Sequence, residues 1–174
     1  MEDLRYPIGK FTPDKNLTDD KRQKMIDEIA ETPTKLKAAI KGLTEKQINT
    51  PYRPGGWTVR QLVHHVADSH LNSFMRFKLA MTEDKPAIKT YDQQLWASTA
   101  DTQGSIESSV TLLEALHQRW VMLLRSLTAG DFKRKLNHPE IGEIDLNFLV
   151  NLYAWHGKHH VAHITALRQR EGWK

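Results

Sequence analysis

The chain has 174 residues, 25 Lys and Arg against 21 Asp and Glu, a formal charge of +4 and no cysteine. That length suits one domain over residues 1–174, and the lack of cysteine excludes disulfides, thiolate ligands and a cysteine nucleophile, leaving imidazole and carboxylate as the strong metal ligands. Basic and acidic residues alternate, as in Lys-Arg-Gln-Lys-Met-Ile-Asp-Glu from residue 21, and no segment is apolar enough to span a bilayer, so the expectation is a cytoplasmic protein with neither a nucleic-acid nor a membrane partner.

Apolar residues recur at helical spacing in four long segments, and strict strand-like alternation is nearly absent. The first runs from about residue 19 to 41 on Met25, Ile29, Leu36 and Ile40, with Leu43 continuing the stripe, Gly42 as a stop and Pro33 expected to kink or interrupt it. A short helical turn is expected at Thr44 to Asn49. The second segment follows Pro54-Gly55-Gly56: Thr58 and Gln61 form a capping box, Trp57 and Leu62 occupy the two positions of a hydrophobic staple, and the apolar face continues to about residue 81. A loop with one short helix near Gln93 to Ser98 leads to the third segment, which starts near Ser105 and carries Val110, Leu113, Leu116, Trp120, Leu124 and Leu127 before Gly130. The fourth starts after Asp145, an acceptable N-cap, and runs almost to the end of the sequence. Four such helices predict an all-α four-helix bundle.

Seven of the nine histidines lie in two stretches, His-His-Val-Ala-Asp-Ser-His at 64–70 and Tyr-Ala-Trp-His-Gly-Lys-His-His-Val-Ala-His-Ile at 153–164. With His156 as origin and about 100° per residue, His160 falls near +40°, His163 near −20° and His159 near −60°. The apolar stripe of the same helix centres close to His160, so His156 and His160 point inward and His159 lies toward the edge. Imidazoles four apart on one helical face reach a common ion, and burying them unpaired is costly. A core of hydrogen-bonded histidines is the competing reading, but the second cluster favours a mononuclear metal site between helices. Spacing accepts either His65 or His70 as the third ligand and turns His64 away.

Known metal motifs narrow the choice. Gly157 follows His156, so the Glu of a His-Glu-x-x-His protease is missing. Glu114 and His117 form only half of a di-iron set, which points to a structural pair. Gly157 costs about 1 kcal/mol relative to Ala in a helix, which suggests close approach by another backbone or a bound group.

The segment Pro-Tyr-Arg-Pro-Gly-Gly-Trp-Thr-Val-Arg-Gln-Leu-Val-His-His-Val-Ala-Asp-Ser-His, His-Pro-Glu at 138–140 and the histidine-rich stretch at 153–164 together resemble the YfiT-like metal-dependent hydrolases of the DinB superfamily. The likeness covers nearly the whole chain. It implies a four-helix bundle with one divalent ion, zinc or nickel, on three histidines. Carried over by position, the histidine of His-x-x-Asp is His65, with Asp68 following, and the other two are His156 and His160. The family is similar in turn to bacterial transferases that use such a site to activate a thiol such as bacillithiol, and homodimers are common among them.

Three neutral ligands leave positions open for water or substrate. The reading is therefore a hydrolase acting on a small molecule, with a low-molecular-weight thiol S-transferase using a thiol cosubstrate as the alternative. A non-catalytic metal-binding bundle is the second alternative. His159, His163, Asp68 and Glu140 are the candidates for a general base, and each serves equally as a hydrogen-bond partner of a ligand. Trp57, Tyr153 and Trp155 could line a pocket or simply fill the core.

Overall fold

Side-chain caps set where most of the helices begin. In this computed structural model, which describes residues 3–174, Thr18 accepts from the backbone N–H of Lys21 and opens α1, Asp19–Ile40. Thr44 and Gln47 form a reciprocal capping box at α2, Glu45–Ile48. The expected Thr58–Gln61 box is present at α3, Val59–Thr82. Asp92 starts α4, Gln93–Trp96, and Ser105 starts α5, Ile106–Ser126. Asp145 accepts from Phe148 to open α6, Leu146–Glu171, which closes on Gly172 in the left-handed conformation at φ 66°.

Two expectations need correction. Of the kink or interruption expected at Pro33, the interruption does not occur: α1 continues through it, because buried Ile26 and Ile29 before it and Leu36 and Ile40 after it hold one helix face to the core, and packing offsets the lost backbone hydrogen bond. The chain also contains a hairpin, β1 (Lys135–His138) paired antiparallel with β2 (Gly142–Asp145). Its strands are four residues long, too short for a period-2 pattern to stand out; His138 ends β1, and Pro139 and Glu140 begin the connection.

α1 and α3 each pack against both α5 and α6, so the order around the bundle is α1, α5, α3, α6. The core has two apolar blocks. One gathers Ile26 and Ile29 of α1, Phe77 and Ala80 of α3, Trp120 and Leu124 of α5, and Leu149, Val150 and Tyr153 of α6. The other gathers Leu36 and Ile40, Val59 and Leu62, Val110 and Leu113, and Ile164 and Leu167 from the same four helices. α1 and α6 therefore enter the first block with their N-terminal halves, whereas α3 and α5 enter it with their C-terminal halves. It follows that α1 runs parallel to α6, α3 runs parallel to α5, and the two pairs are antiparallel.

Between the blocks lies a polar layer. Thr32 and Pro33 come from α1, His65, Ser69, His70 and Ser73 from α3, His117 from α5, and Gly157, His159, His160 and His163 from α6, all buried. The histidines that the sequence separates by about 90 residues thus meet at one level of the bundle. Among the described residues no helix is long and apolar enough to cross a membrane.

Candidate metal centre

α3 carries His65 on its second turn, and α6 carries His156 and His160 one turn apart on the face that meets it. One ring nitrogen from each of these three residues lies within 4.8 Å of the other two. The ring centroids of His65 are 5.4 Å from His156 and 4.9 Å from His160. The Nε2 atoms of His156 and His160 face each other at 3.2 Å, close to the roughly 3.3 Å that two imidazoles about 2.05 Å from one tetrahedral ion require. His65 and His160 are buried, while His156 keeps a partly exposed edge.

Burial sets the protonation of this group. It lowers the His65 pKa to about 4, and burial together with the neighbouring imidazoles holds His156 and His160 well below the ordinary value of 6.5. All three are neutral at pH 7, which is the form that binds a metal. Converging neutral nitrogens at ligand spacing, with no thiolate or carboxylate among them, fit a borderline divalent ion.

A second group overlaps the first: His159, His160 and His163 also bring one nitrogen each within 4.8 Å of one another. The Nδ1 atoms of all three are buried without a partner among the described residues. Because Nε2 of His160 faces His156, His160 can serve this second group only through Nδ1. The N-terminal segment closes over it. Nε2 of His163 lies 3.2 Å from the carbonyl oxygen of Arg5, and the Tyr52 ring lies against His163 with centroids 4.1 Å apart and planes tilted by 31°. His159 stacks on Trp155 at 4.2 Å. The helical wheel puts His159 at the edge; Trp155 and the N-terminal segment bury it, with 7% exposure.

The remaining histidines are placed as follows. His70 is fully buried and lies on the far side of His156, its Nε2 at 3.2 Å from His156 Nδ1. His64 is also buried, against α5, with Nδ1 at 2.7 Å from the Ser109 hydroxyl. Its angle to the stripe predicts solvent, and the neighbouring helix supplies cover instead. Glu114 faces outward and pairs with Lys37 at 2.9 Å, whereas His117 points inward to His70 at 2.8 Å. The two therefore do not act as a ligand pair.

Of the candidate bases, Glu140 is exposed in the hairpin connection. Asp68 is half-buried, and its pKa is pushed up to about 6, first by burial and then by the negative charge of Asp101. Ser69 stands beside the three histidines, its hydroxyl 3.5 Å from His156 Nε2 and 3.2 Å from the Tyr153 hydroxyl; Tyr153 donates to the Ser69 carbonyl at 3.1 Å. Sequence reading missed Ser69, since a lone serine in a helix carries no signal of its own. Trp57 covers His65 at 4.6 Å between ring centroids and donates to Gln94 at 2.9 Å, and Tyr153 is a core residue of the first block.

Gly157 has a direct structural reason. A Cβ at that position would stand 2.4 Å from Thr32 Oγ1 and 2.8 Å from Thr32 Cγ2. The sequence suggests another backbone or a bound group; the close neighbour is instead a side chain of α1.

Comparison with known proteins places these residues in a family. The DinB superfamily matches residues 28–164. A Bacillus mycoides protein provisionally named a metal-dependent hydrolase is 54% identical over 173 residues, covering 99% of this chain and 100% of that protein. A Bacillus cereus protein with the same provisional name is 53% identical with the same coverage. The solved structure of YfiT from Bacillus subtilis, described as "a probable metal-dependent hydrolase with an unusual four-helix bundle topology", is similar at a TM-score of 0.95 and 47% identity, covering 98% of this chain and 99% of that one. A further four-helix bundle protein shares the fold at a TM-score of 0.57 and 17% identity, covering 83% of this chain and 98% of that one.

Proposed function

The chain belongs to the DinB superfamily, and on that premise we propose that it is a metal-dependent hydrolase of a small molecule. Its divalent ion, zinc or nickel, is held by His65, His156 and His160, and all 174 residues serve as one unit around it. The observation that carries this reading is the meeting of three neutral ring nitrogens within 4.8 Å on two helices. The provisional names of the Bacillus relatives support the reaction class.

An ion held by His65, His156 and His160 would supply Lewis acidity, to polarise the bond to be cleaved and to activate a nucleophile near neutral pH. The chain's own groups do the rest. Burial keeps the three imidazoles unprotonated, so no proton competes for their lone pairs at pH 7. Asp68 lies three residues after His65 and burial pushes its pKa up to about 6, which makes it the carboxylate we assign to proton transfer in the reaction. The Ser69 hydroxyl donates to the Tyr153 oxygen, which leaves its own lone pairs to accept a hydrogen bond from the substrate, and Trp57 shields His65 from water.

The test is a panel of small esters, amides and related substrates with the metal-loaded protein, run in parallel with a thiol plus an electrophile. Hydrolysis that disappears on chelation and in His65→Ala supports the reading. Thiol consumption without hydrolysis replaces it with the S-transferase. Tightly bound metal with neither turnover replaces it with a metal-stabilised binding bundle.

A further inference from the structure

Three imidazoles form a line through the polar layer. His156 Nδ1 lies 3.2 Å from His70 Nε2, His70 Nδ1 lies 2.8 Å from His117 Nε2, and His117 Nδ1 lies 2.9 Å from the carbonyl oxygen of Ile29. His70 is 0% exposed and His117 3%, so water cannot substitute for any of these partners. A buried polar nitrogen left unpaired is destabilising, because it gives up its hydrogen bond to water and gains none in return.

The protons on this line have only one consistent arrangement. A carbonyl oxygen can only accept, so His117 donates from Nδ1. A neutral imidazole that donates from one nitrogen accepts on the other, so His117 Nε2 accepts from His70 Nδ1–H. By the same rule His70 Nε2 accepts from His156 Nδ1–H. The Nε2 lone pair of His156 is then the free one, and it faces His160 Nε2 across the candidate metal position.

The terminal acceptor exists because of the proline. In α1 the carbonyl of Ile29 would ordinarily accept from the N–H of residue 33, four positions on. Residue 33 is Pro and has no N–H. The Ile29 oxygen is left for His117. The proline that the sequence marks as a helix breaker thus supplies the anchor for an imidazole on a different helix.

We propose that His70 and His117 are positioning residues for the metal ligand His156. Anchored on the Ile29 carbonyl freed by Pro33, they hold His156 in the Nδ1–H tautomer and fix its ring so that Nε2 points at the ion. The proposal rests on His156 being a ligand, but the hydrogen-bond order itself does not. Each ring is held in the Nδ1–H form, the less populated tautomer of histidine free in water, so the arrangement leaves a signature that simple core packing does not require. Partners of this kind on a ligating imidazole typically govern metal affinity by 10–100-fold.

The first experiment is two-bond 1H–15N NMR of the histidine rings on the metal-free wild type at pH 7.5. His70, His117 and His156 are each expected as Nδ1–H tautomers; Nε2–H signals for His70 or His117 would overturn the proposal without touching the metal-site reading. The second is competitive zinc titration. His70→Leu should weaken zinc binding by about 10–100-fold, while His70→Gln, whose amide oxygen can still accept from His156 Nδ1–H, should keep most of the affinity. Equal affinities for wild type and His70→Leu, with both folded by circular dichroism, would refute the positioning role. If the wild type shows the expected tautomers but takes up no zinc, the metal-site reading fails and the positioning role with it, leaving only the hydrogen-bond order.

Discussion

Gly157 sits between two proposed ligands on α6 and faces Thr32 of α1, and replacing it with Ala tests how closely these parallel helices approach. The added methyl would meet Thr32 Oγ1 at 2.4 Å, Cγ2 at 2.8 Å and Cβ at 3.2 Å, where carbon contacts normally settle at about 3.5–4.0 Å. Thr32 has little room to yield: it is 2% exposed and donates to the Glu28 carbonyl at 3.1 Å. Overpacking costs about 1–3 kcal/mol, and Ala recovers about 1 kcal/mol of helix propensity. Gly157→Ala should therefore lose about 0–2 kcal/mol, centred near 1 kcal/mol, or roughly 2–4 °C in Tm for a chain of this size. In a Thr32→Ala background the two shortest of these contacts are gone and the one at 3.2 Å remains, and the same change should become neutral or stabilising. The coupling is then about 2 kcal/mol, within the range for residues in contact. Urea titrations of the four proteins in excess chelator, followed by circular dichroism, measure it. Additive effects, or a Gly157→Ala that stabilises the protein with Thr32 intact, would refute the close approach.

Acid stability offers a second check. Burial lowers the His117 pKa to about 4, so as pH falls the unfolded chain takes up this proton first, and stability is full above about pH 6.5 and declines toward pH 4. His117 alone contributes about 3 kcal/mol to that decline at 1.36 kcal/mol per pH unit; metal-free protein whose stability stays flat between pH 7 and 4 would contradict its burial as a neutral ring. Asp68 has the opposite sign. Its raised value penalises the folded state above about pH 6, and the penalty vanishes below the ordinary 3.8. Asp68→Asn should therefore stabilise metal-free protein at pH 8 by about 1 kcal/mol, after allowance for its half-exposed position. The same change should cut hydrolysis by about 100-fold or more, while wild-type kcat/KM rises with pH through about 6; unchanged turnover would remove Asp68 as the base. Thr58→Ala deletes one half of the capping box at the start of the helix that carries His65 and should cost about 1 kcal/mol in chemical denaturation, a loss that an intact Tm would rule out.

What the sequence made legible was local. The Thr58–Gln61 box and the Asp145 cap depend on residues three apart, and the inward face of α6 depends on a single helical period, so each could be read before any packing was known. The third member of the histidine group was not of that kind. Spacing accepted His65 or His70, and only the angle between α3 and α6 puts His65 beside His156 and His160 while His70 approaches His156 from behind. Burial of His64 and His159 likewise depends on other segments, Ser109 on α5 for one and the N-terminal residues, added to Trp155 of the same helix, for the other. Pro33 was the most misleading residue. Local rules make it a helix breaker, whereas tertiary packing keeps the helix whole and gives the orphaned Ile29 carbonyl to His117.

The central claim is that His65, His156 and His160 hold one divalent ion, and metal content of untagged protein by mass spectrometry tests it most directly. Wild type and His138→Ala, a hairpin histidine outside both histidine groups, should each carry about one zinc or nickel per chain, and His65→Ala, His156→Ala and His160→Ala should each lose it. A metal-free wild type, or metal retained at full occupancy in any of the three variants, would contradict the account.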